Sequence, residues 1–163
     1  MNRFFYFKLA VTNIKKNAKT YIPYMITSIM TICMFYIICS LSNNPDLSKV
    51  SGTDSMVTVL FLGTIICGIF ATIFLFYTNS FLMKRRKKEF GLYNILGMEK
   101  KHISRVVLCE TLIISVISLV FGLLIGILFD KLMLLILLSM FTVKVPLGFY
   151  ISPQSLKTTI ILF

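Results

Sequence analysis

The composition of this 163-residue chain defines the environment in which it folds. Hydrophobic residues make up 57% of the chain and charged residues 14%, with a mean hydropathy of +0.88. Soluble globular domains contain roughly 45 to 50% apolar residues even when glycine is counted. These values exclude a soluble domain and predict a small integral membrane protein, so its formal net charge of +11 must be explained by where the basic residues stand.

The first segment, residues 1–20, is amphipathic. Its apolar residues recur at steps of three and four while the lysines fall on another side, and the apolar positions are Phe4, Phe7, Val11, Ile14 and Ala18. This pattern predicts a cytoplasmic helix in the inner headgroup layer, where anionic lipid contributes about 1 kcal/mol per basic residue. The alternative is that the lysines only set the topology. Pro23 is a candidate for the elbow before the first span.

Three apolar stretches are predicted to cross the lipid bilayer as helices. Residues 21–41 and 56–83 contain no charge, and residues 103–129 carry Glu110 as their only internal charge. Each reaches the roughly twenty residues that a helix needs to cross hydrocarbon. Residues 42–55, rich in Ser, Asn, Asp and Pro, are predicted to form an extracytoplasmic loop.

The remainder of the chain is predicted to start outside the membrane. Residues 130–157 form an extracytoplasmic segment, with Asp130 and Lys131 closing the third span. The apolar stretch 132–141 is too short to cross alone, so it either continues the third span or lies in the outer interface. Residues 158–163 begin a fourth span that stops after six residues. The chain is therefore expected to be an N-terminal fragment or a truncated product.

The distribution of basic residues predicts the orientation. With the N-terminus in the cytoplasm, thirteen of the seventeen Lys and Arg residues lie inside, and only Lys49, Lys131, Lys144 and Lys157 lie outside. Cytoplasmic loops carry such an excess of positive charge. We therefore expect a multi-pass protein of the cell membrane whose N-terminus is cytoplasmic.

The cytoplasmic region between the second and third spans, residues 84–102, combines basic and apolar residues. Its sequence KRRKKEFGLYNILGMEKKH is helix-compatible from Glu89 to Leu96, and Gly97 is suited to the left-handed position that follows a helix. A second helix then leads into the third span. A free apolar face on the short first helix requires either membrane or a partner to cover it.

Three stretches of the sequence resemble one family of membrane proteins. The run RRKKEFGLYNILGMEKKHISRVVLCETLIISVISLVFGLLIG is similar to the signature of FtsX-like permeases, the membrane subunits of a class of ABC transporters. The opening LAVTNIKKNAKTY and the late VPLGFYISPQSL resemble the bacitracin-resistance type found in Gram-positive bacteria. The resemblance covers nearly the whole chain from about Phe5.

The resemblance implies a coupling helix that docks in a groove of a separate cytoplasmic ATPase. Four residues match the E-x-G and L-G positions of the family, and three more supply apolar anchors; with Met98, the set is Glu89, Phe90, Gly91, Leu92, Tyr93, Leu96, Gly97 and Met98. The structural alternative is that this segment lies among lipid headgroups. The resemblance also implies a peptide antibiotic or its lipid-linked target as substrate, and a membrane sensor kinase as a further partner.

The expected fold is all-α: an interfacial helix, three transmembrane helices, the start of a fourth, and a coupling helix between the second and third. The first functional hypothesis is the permease subunit of an ATP-driven transporter for peptide antibiotics, and the alternative is a non-transporting membrane interaction, immunity or sensor-partner subunit. A membrane enzyme ranks last, because no GxxxxGK[ST] loop is present to bind ATP. Full-length permeases of this type carry further membrane helices and an extracellular domain, which this chain lacks.

Small residues recur at steps of three and four in two spans. Such stripes let helix backbones approach closely in lipid. The predicted packing positions are Thr64, Gly68 and Thr72 in the second span and Ser115, Ser118, Gly122 and Gly126 in the third. The two stripes are expected to pack on each other or on the missing part of the permease.

Glu110 is an ionisable residue near the cytoplasmic end of the third span, which makes it a functional candidate by default. Arg105 or a residue of the basic cluster 84–88 is expected to neutralise it, and structural pairing is favoured over a proton or substrate role. His102 is expected to be a solvated surface residue.

The cysteines show no framework of spacings and no CxxC. Cys33, Cys39, Cys67 and Cys109 lie in or beside apolar runs and are predicted to be buried thiols. We expect no metal, no cofactor and no nucleic-acid partner.

Overall fold

The structure, a computed structural model, describes residues 3–44, 54–95, 97, 99–140 and 152–163. These residues contain no strand and form five helices, which are α1 Arg3–Lys16, α2 Ala18–Ser42, α3 Asp54–Ile95, α4 Lys100–Met140 and α5 Pro153–Leu162. The all-α fold is therefore confirmed. Several predicted features lie outside the described residues, namely Leu96, Met98, most of the loop 42–55 and residues 141–151 of the outer segment.

Among the described residues, three helices are long and apolar enough to cross a membrane. They cover Ala18–Ser42, Ser55–Lys87 and Lys100–Leu137. A helix satisfies its backbone hydrogen bonds internally, which lipid requires because it offers no alternative partners. The chain is thus a multi-pass membrane protein with the three spans that hydropathy predicts, while the exact limits of each membrane segment stay predictions.

The elbow before the first span lies at Asn17 and not at Pro23. Asn17 is in a turn between α1 and α2, and its carbonyl accepts a hydrogen bond of 2.9 Å from the Thr20 amide. Pro23 lies inside α2. From this turn, the Asn17 side chain donates a hydrogen bond to Glu89 of α3.

The second span and the coupling region form one unbroken helix. We expected a separate short helix, but α3 runs for 42 residues to Ile95 without interruption. Lys and Arg are good helix formers, so the basic cluster 84–88 continues the helix where the apolar stretch ends. Gly97 follows with a φ of 85°, in the expected left-handed conformation.

Replacing Gly97 by alanine is expected to destabilise the chain by about 1 kcal/mol, since an L side chain in the left-handed region crowds its own backbone. The measurement is the free energy of unfolding in mixed detergent micelles. Gly91→Ala is the matched control, because Gly91 is helical and a Cβ there meets nothing within 4 Å. Equal effects of the two substitutions would contradict the assignment of strain to Gly97.

The third span also runs past its predicted end. α4 continues through Asp130 and Lys131 as far as Met140, so the apolar stretch after Lys131 continues the same helix. The Asp130 carboxylate is buried and its Oδ2 accepts a hydrogen bond of 2.9 Å from Ser40 Oγ. One carboxyl oxygen of Asp130 is thus bonded to α2, while Oδ1 is buried with no partner among the described residues.

The helices contribute to two compact units, each formed from two stretches of chain. The first unit comprises Met1–Ser28 and Phe74–Ser118. Its apolar core consists of Tyr21, Leu82 and Ile114. This core unites α2, α3 and α4, and Ile14 of α1 packs against it.

The second unit comprises Ile29–Ile73 and Leu119–Phe163. Its small residues pack on α2, which was not among the expected partners. A Cβ on Gly122 would lie 2.8 Å from Ile32, one on Gly126 would lie 2.9 Å from Tyr36, and one on Gly68 would lie 3.2 Å from Phe35; these positions are those where backbones approach α2.

The other predicted packing residues do not mark a close approach of a particular helix. Thr64, Thr72 and Ser115 are half-buried and Ser118 is buried. The two threonine hydroxyls donate hydrogen bonds of 2.8 to 2.9 Å to carbonyls one turn earlier in their own helix. Their polar atoms are therefore satisfied without a neighbouring helix.

α5 begins five residues before the predicted start of the fourth span. Ser152 caps it, accepting a hydrogen bond of 3.3 Å from the Ser155 amide, and Pro153 occupies the first turn. The Ser155 hydroxyl donates to the Cys39 carbonyl at 3.1 Å, which ties α5 to α2.

Of the four free cysteines, Cys33 and Cys39 are buried as predicted, and the other two are half-buried.

Candidate functional site

The coupling segment, defined here as residues 89–95, forms the last two turns of α3. Leu92 and Ile95 are 58% and 84% exposed, and Gly91 is exposed beside them. An apolar face at the end of a helix, beyond the apolar part of the span, is surface that water does not favour. Ile95 is the most exposed of these side chains, and it was not among the predicted docking residues.

Three other predicted docking residues contact the chain itself. Glu89 accepts hydrogen bonds from Asn17 Nδ2 at 2.8 Å and from Arg86 Nε at 3.1 Å. The Phe90 ring lies 5.2 Å from the Arg86 guanidinium carbon. The Tyr93 hydroxyl donates to Asn13 Oδ1 at 3.4 Å. The coupling segment therefore has an outward apolar side and an inward side bonded to α1 and its turn.

A buried polar cluster lies next to the coupling segment and consists of Asn13, Tyr21, Arg86 and Glu110. Glu110 accepts from Asn13 Nδ2 at 2.9 Å, from the Tyr21 hydroxyl at 2.8 Å and from Arg86 Nη1. Arg86 Nη1 also donates to the Tyr21 oxygen. Four helices each supply one residue, so the cluster joins α1, α2, α3 and α4.

The pairing of Glu110 follows one of the two predictions. Its partner is Arg86 from the basic cluster 84–88, while Arg105 is exposed. Glu110 and Arg86 are only 1% and 3% exposed, so both charges have lost most of their water. A buried ion pair offsets that loss only when further hydrogen bonds satisfy both groups. Asn13 and Tyr21 supply those bonds to the carboxylate.

The arginine is satisfied less completely than the glutamate. Arg86 Nη2 is buried and has no hydrogen-bond acceptor within the described part of the chain. Its guanidinium carbon lies 5.3 Å from the Tyr21 ring centre, so aromatic faces provide part of its surroundings.

His102 differs from its expectation as a solvated residue. Its Nδ1 lies 2.5 Å from the Tyr6 hydroxyl oxygen, and the two rings stack with centres 5.9 Å apart. This contact joins the beginning of α1 to the first turn of α4. α1 is thus bonded within the fold along its length, in addition to any contact with headgroups.

Sequence reasoning missed the contributions of Asn13, Asn17 and Tyr6. One signal was present in the sequence. Asparagine is a poor helix former, and two asparagines stand four residues apart on one helical side.

Residues 3–44, 54–95, 97, 99–140 and 152–163 contain no group of three or more His, Cys, Asp or Glu side chains placed to hold a metal.

Comparison with protein families defines the class to which this arrangement belongs. The family described as FtsX-like permease C-terminal matches residues 56–163, which is well over half of the chain. The chain therefore belongs to the FtsX-like permease family, whose members are subunits of transporters.

Curated relatives include several named permeases. The chain is 31% identical over 154 residues to the uncharacterized ABC transporter permease YvcS of Bacillus subtilis (strain 168), covering 93% of this chain and 24% of the relative. It is 30% identical over 156 residues to the bacitracin export permease protein BceB of the same organism, covering 96% and 24%. A protein of the same name from Halalkalibacterium halodurans is 28% identical over 155 residues, covering 95% and 24%. The chain spans about a quarter of the length of these relatives.

Proposed function

We propose that this chain forms part of the membrane permease subunit of an ATP-driven ABC transporter for export of, or resistance to, peptide antibiotics of the bacitracin type. Family membership and the names of two relatives support the class and the substrate. The observation that carries the proposal is the coupling segment, which presents Leu92 and Ile95 outward at the end of a membrane helix.

The orientation that this function requires is consistent with the exposed charges. Lys84, Arg85 and Lys87 are exposed before the coupling segment, and Lys100 and Lys101 are exposed after it. Basic residues at the ends of spans favour the cytoplasmic side. The N-terminus and the coupling segment then lie in the cytoplasm, where ATP is available to a partner.

The docking partner is a cytoplasmic ABC ATPase subunit. Helix-in-groove recognition places apolar anchors from one side of a helix into a hydrophobic groove. Leu92 and Ile95 are three residues apart and so lie on one side of α3. The docking surface is therefore the outward side of the coupling segment. A separate groove of about 460 Å³ is lined by Phe90, Gly91, Ile103 and Val107 among others.

The mechanism follows from the unbroken course of α3 and α4. Movement of the ATPase on hydrolysis displaces the coupling segment, and α3 carries that displacement into the second span without a hinge. Gly97 turns the chain into α4, which carries it into the third span. A membrane sensor kinase and a lipid-linked antibiotic target are further expected partners that come from the resemblance alone.

The test is capture of an ABC ATPase subunit of the bacitracin type by the tagged chain in mild detergent. Leu92→Asp and Ile95→Asp are each expected to reduce capture by about tenfold or more, since interface anchors commonly cost over 1 kcal/mol when lost. Thr12→Asp is the matched control, because Thr12 is exposed on α1 and receives the same new charge. Phe90→Asp is a weaker test, as Phe90 is half-buried against Arg86.

Equal capture by all variants would remove the coupling segment from the docking surface. Absence of capture by the folded wild-type chain would instead favour the alternative, a membrane interaction, immunity or sensor-partner subunit that does not transport.

A further inference from the structure

One arginine side chain links the coupling segment to the rest of its unit. Arg86 precedes the segment by one turn, and it donates through Nε to Glu89 and through Nη1 to Glu110. Glu89 belongs to the coupling segment and Glu110 to α4. A single cation is therefore shared between two carboxylates on different helices.

Each of these two carboxylates also bonds an asparagine at the N-terminal end of the chain. Glu110 accepts from Asn13 on α1 at 2.9 Å, and Glu89 accepts from Asn17 in the turn after α1 at 2.8 Å. The two asparagines are four residues apart, so they lie one above the other on the same side. Arg86 thus holds α1 to both the coupling segment and α4 through two parallel chains of hydrogen bonds.

The part of this arrangement around Glu110 is buried, which makes it stiff, whereas the Glu89 side chain is half-buried. Arg86, Glu110 and Asn13 are all buried, and hydrogen bonds in such surroundings are stronger than those exposed to water. Apolar side chains can slide past one another at small cost, whereas a shared ion pair with fixed donors cannot be moved without separating charges. Displacing the coupling segment alone would break the bonds of Glu89 to Arg86 and to Asn17.

We propose that Arg86 is a positioning residue that fixes α1 to the coupling segment, so that α1 moves together with it. The consequence for transport, that α1 takes part in the stroke of the ATPase, rests on the proposed function. α1 then belongs to the coupling site because it moves with the coupling segment. Glu89 links Arg86 to Asn17 within the fold.

The variant that tests this proposal removes the ion pair without leaving a buried charge. Arg86→Met combined with Glu110→Gln replaces the cation by an apolar side chain of similar length and keeps an oxygen that can accept from Asn13 or Tyr21. Replacing both members of a buried pair is often neutral for stability. Arg85→Met is the matched control, because Arg85 is the adjacent arginine, is exposed, and contacts only the Phe81 ring among described interactions.

The first measurement is hydrogen exchange of the backbone amides in peptides covering 3–16 and 89–95, with the full chain in an uncharged detergent. A helix of 14 residues is marginal once its contacts are lost. The double variant is expected to exchange at least tenfold faster in α1 than the wild type, and Arg85→Met to match the wild type within twofold. Wild-type exchange of α1 in a folded double variant overturns the proposal.

The second measurement separates positioning from docking. With the ATPase added, the double variant is expected to capture it within twofold of wild type, since Leu92 and Ile95 are unchanged, while stimulation of ATP hydrolysis by the chain falls about tenfold. Full stimulation in a variant whose α1 has loosened overturns the role of α1 in the stroke. If the wild type captures no ATPase, the proposed function fails, and the exchange measurement still decides whether Arg86 holds α1.

Discussion

Replacing Glu110 by leucine is expected to lower the free energy of unfolding by roughly 3 to 5 kcal/mol, because removal of one member of a buried ion pair leaves the other uncompensated. Arg86 would lose its most buried acceptor, and Nη2 already lacks one within the described residues. Asn13 and Tyr21 would lose the acceptor of their hydrogen bonds as well. The measurement is reversible unfolding in mixed detergent micelles, followed by circular dichroism.

The matched control for this substitution is Glu99→Leu. Glu99 is exposed, and its carboxylate lies 3.9 Å from His102 Nε2, a distance at which an exposed pair contributes little. We expect a change within about 0.5 kcal/mol there. A loss of that size at Glu110 as well would show that the cluster is solvated and would remove the basis for its role in holding the helices.

Replacing Gly122 by valine is expected to cost about 1 to 3 kcal/mol, since extra volume at a filled contact forces neighbours to move. A Cβ at this position lies 2.8 Å from Ile32 Cβ and Cγ2 and 3.2 Å from the Ile29 carbonyl oxygen. The backbone oxygen and a Cβ have little freedom to withdraw, so the contact between α2 and α4 must open. The same unfolding measurement applies.

Gly63→Val is the control for this prediction. Gly63 lies in α3, and a Cβ there meets nothing within 4 Å. Valine is a slightly better helix former than glycine, so the change is expected to be small and of either sign. If Gly122→Val were as mild as Gly63→Val, the close approach of α4 to α2 would be wrong.

The spans could be predicted from sequence because the bilayer imposes a minimum length on any crossing helix. The charge-free stretches 21–41 and 56–83 fall within α2 and α3 for that reason. The conformation of Gly97 was predictable for a local reason, since glycine adopts positive φ without strain. Both predictions depend on residues close together in the chain.

The bonds around Arg86 could not be predicted in the same way. Asn13 and Glu110 are separated by 97 positions, and Asn17 and Glu89 by 72. One sequence shows that a buried carboxylate needs donors, with Arg105 or a residue of the cluster 84–88 as the candidate cation, but it contains no signal that specifies which asparagine meets it. Those contacts are set by how α1 packs in the folded unit.

Helix ends and helix partners were missed for related reasons. Hydropathy shows only where the apolar stretch ends, which is at residue 83. α3 continues beyond that residue because lysine and arginine also favour helix. A stripe of small residues reports that something approaches closely, and the approaching residues are Ile32 and Tyr36 of α2. Bulky side chains of α2 fill the space that the glycines leave, and no small-residue pattern on α2 indicates this.

The three spans differ in how much surface they share with the rest of the chain. In the most apolar 18-residue stretch of each, 44% is buried for α2, 22% for α4 and only 6% for α3. An element that buries little has few contacts to lose when it is displaced, and lipid re-covers its surface without the penalty that water would impose. Within the described residues, the apolar part of α3 therefore has the fewest contacts to lose, and the bonds that hold α3 to the other helices are concentrated at Arg86 and the coupling segment.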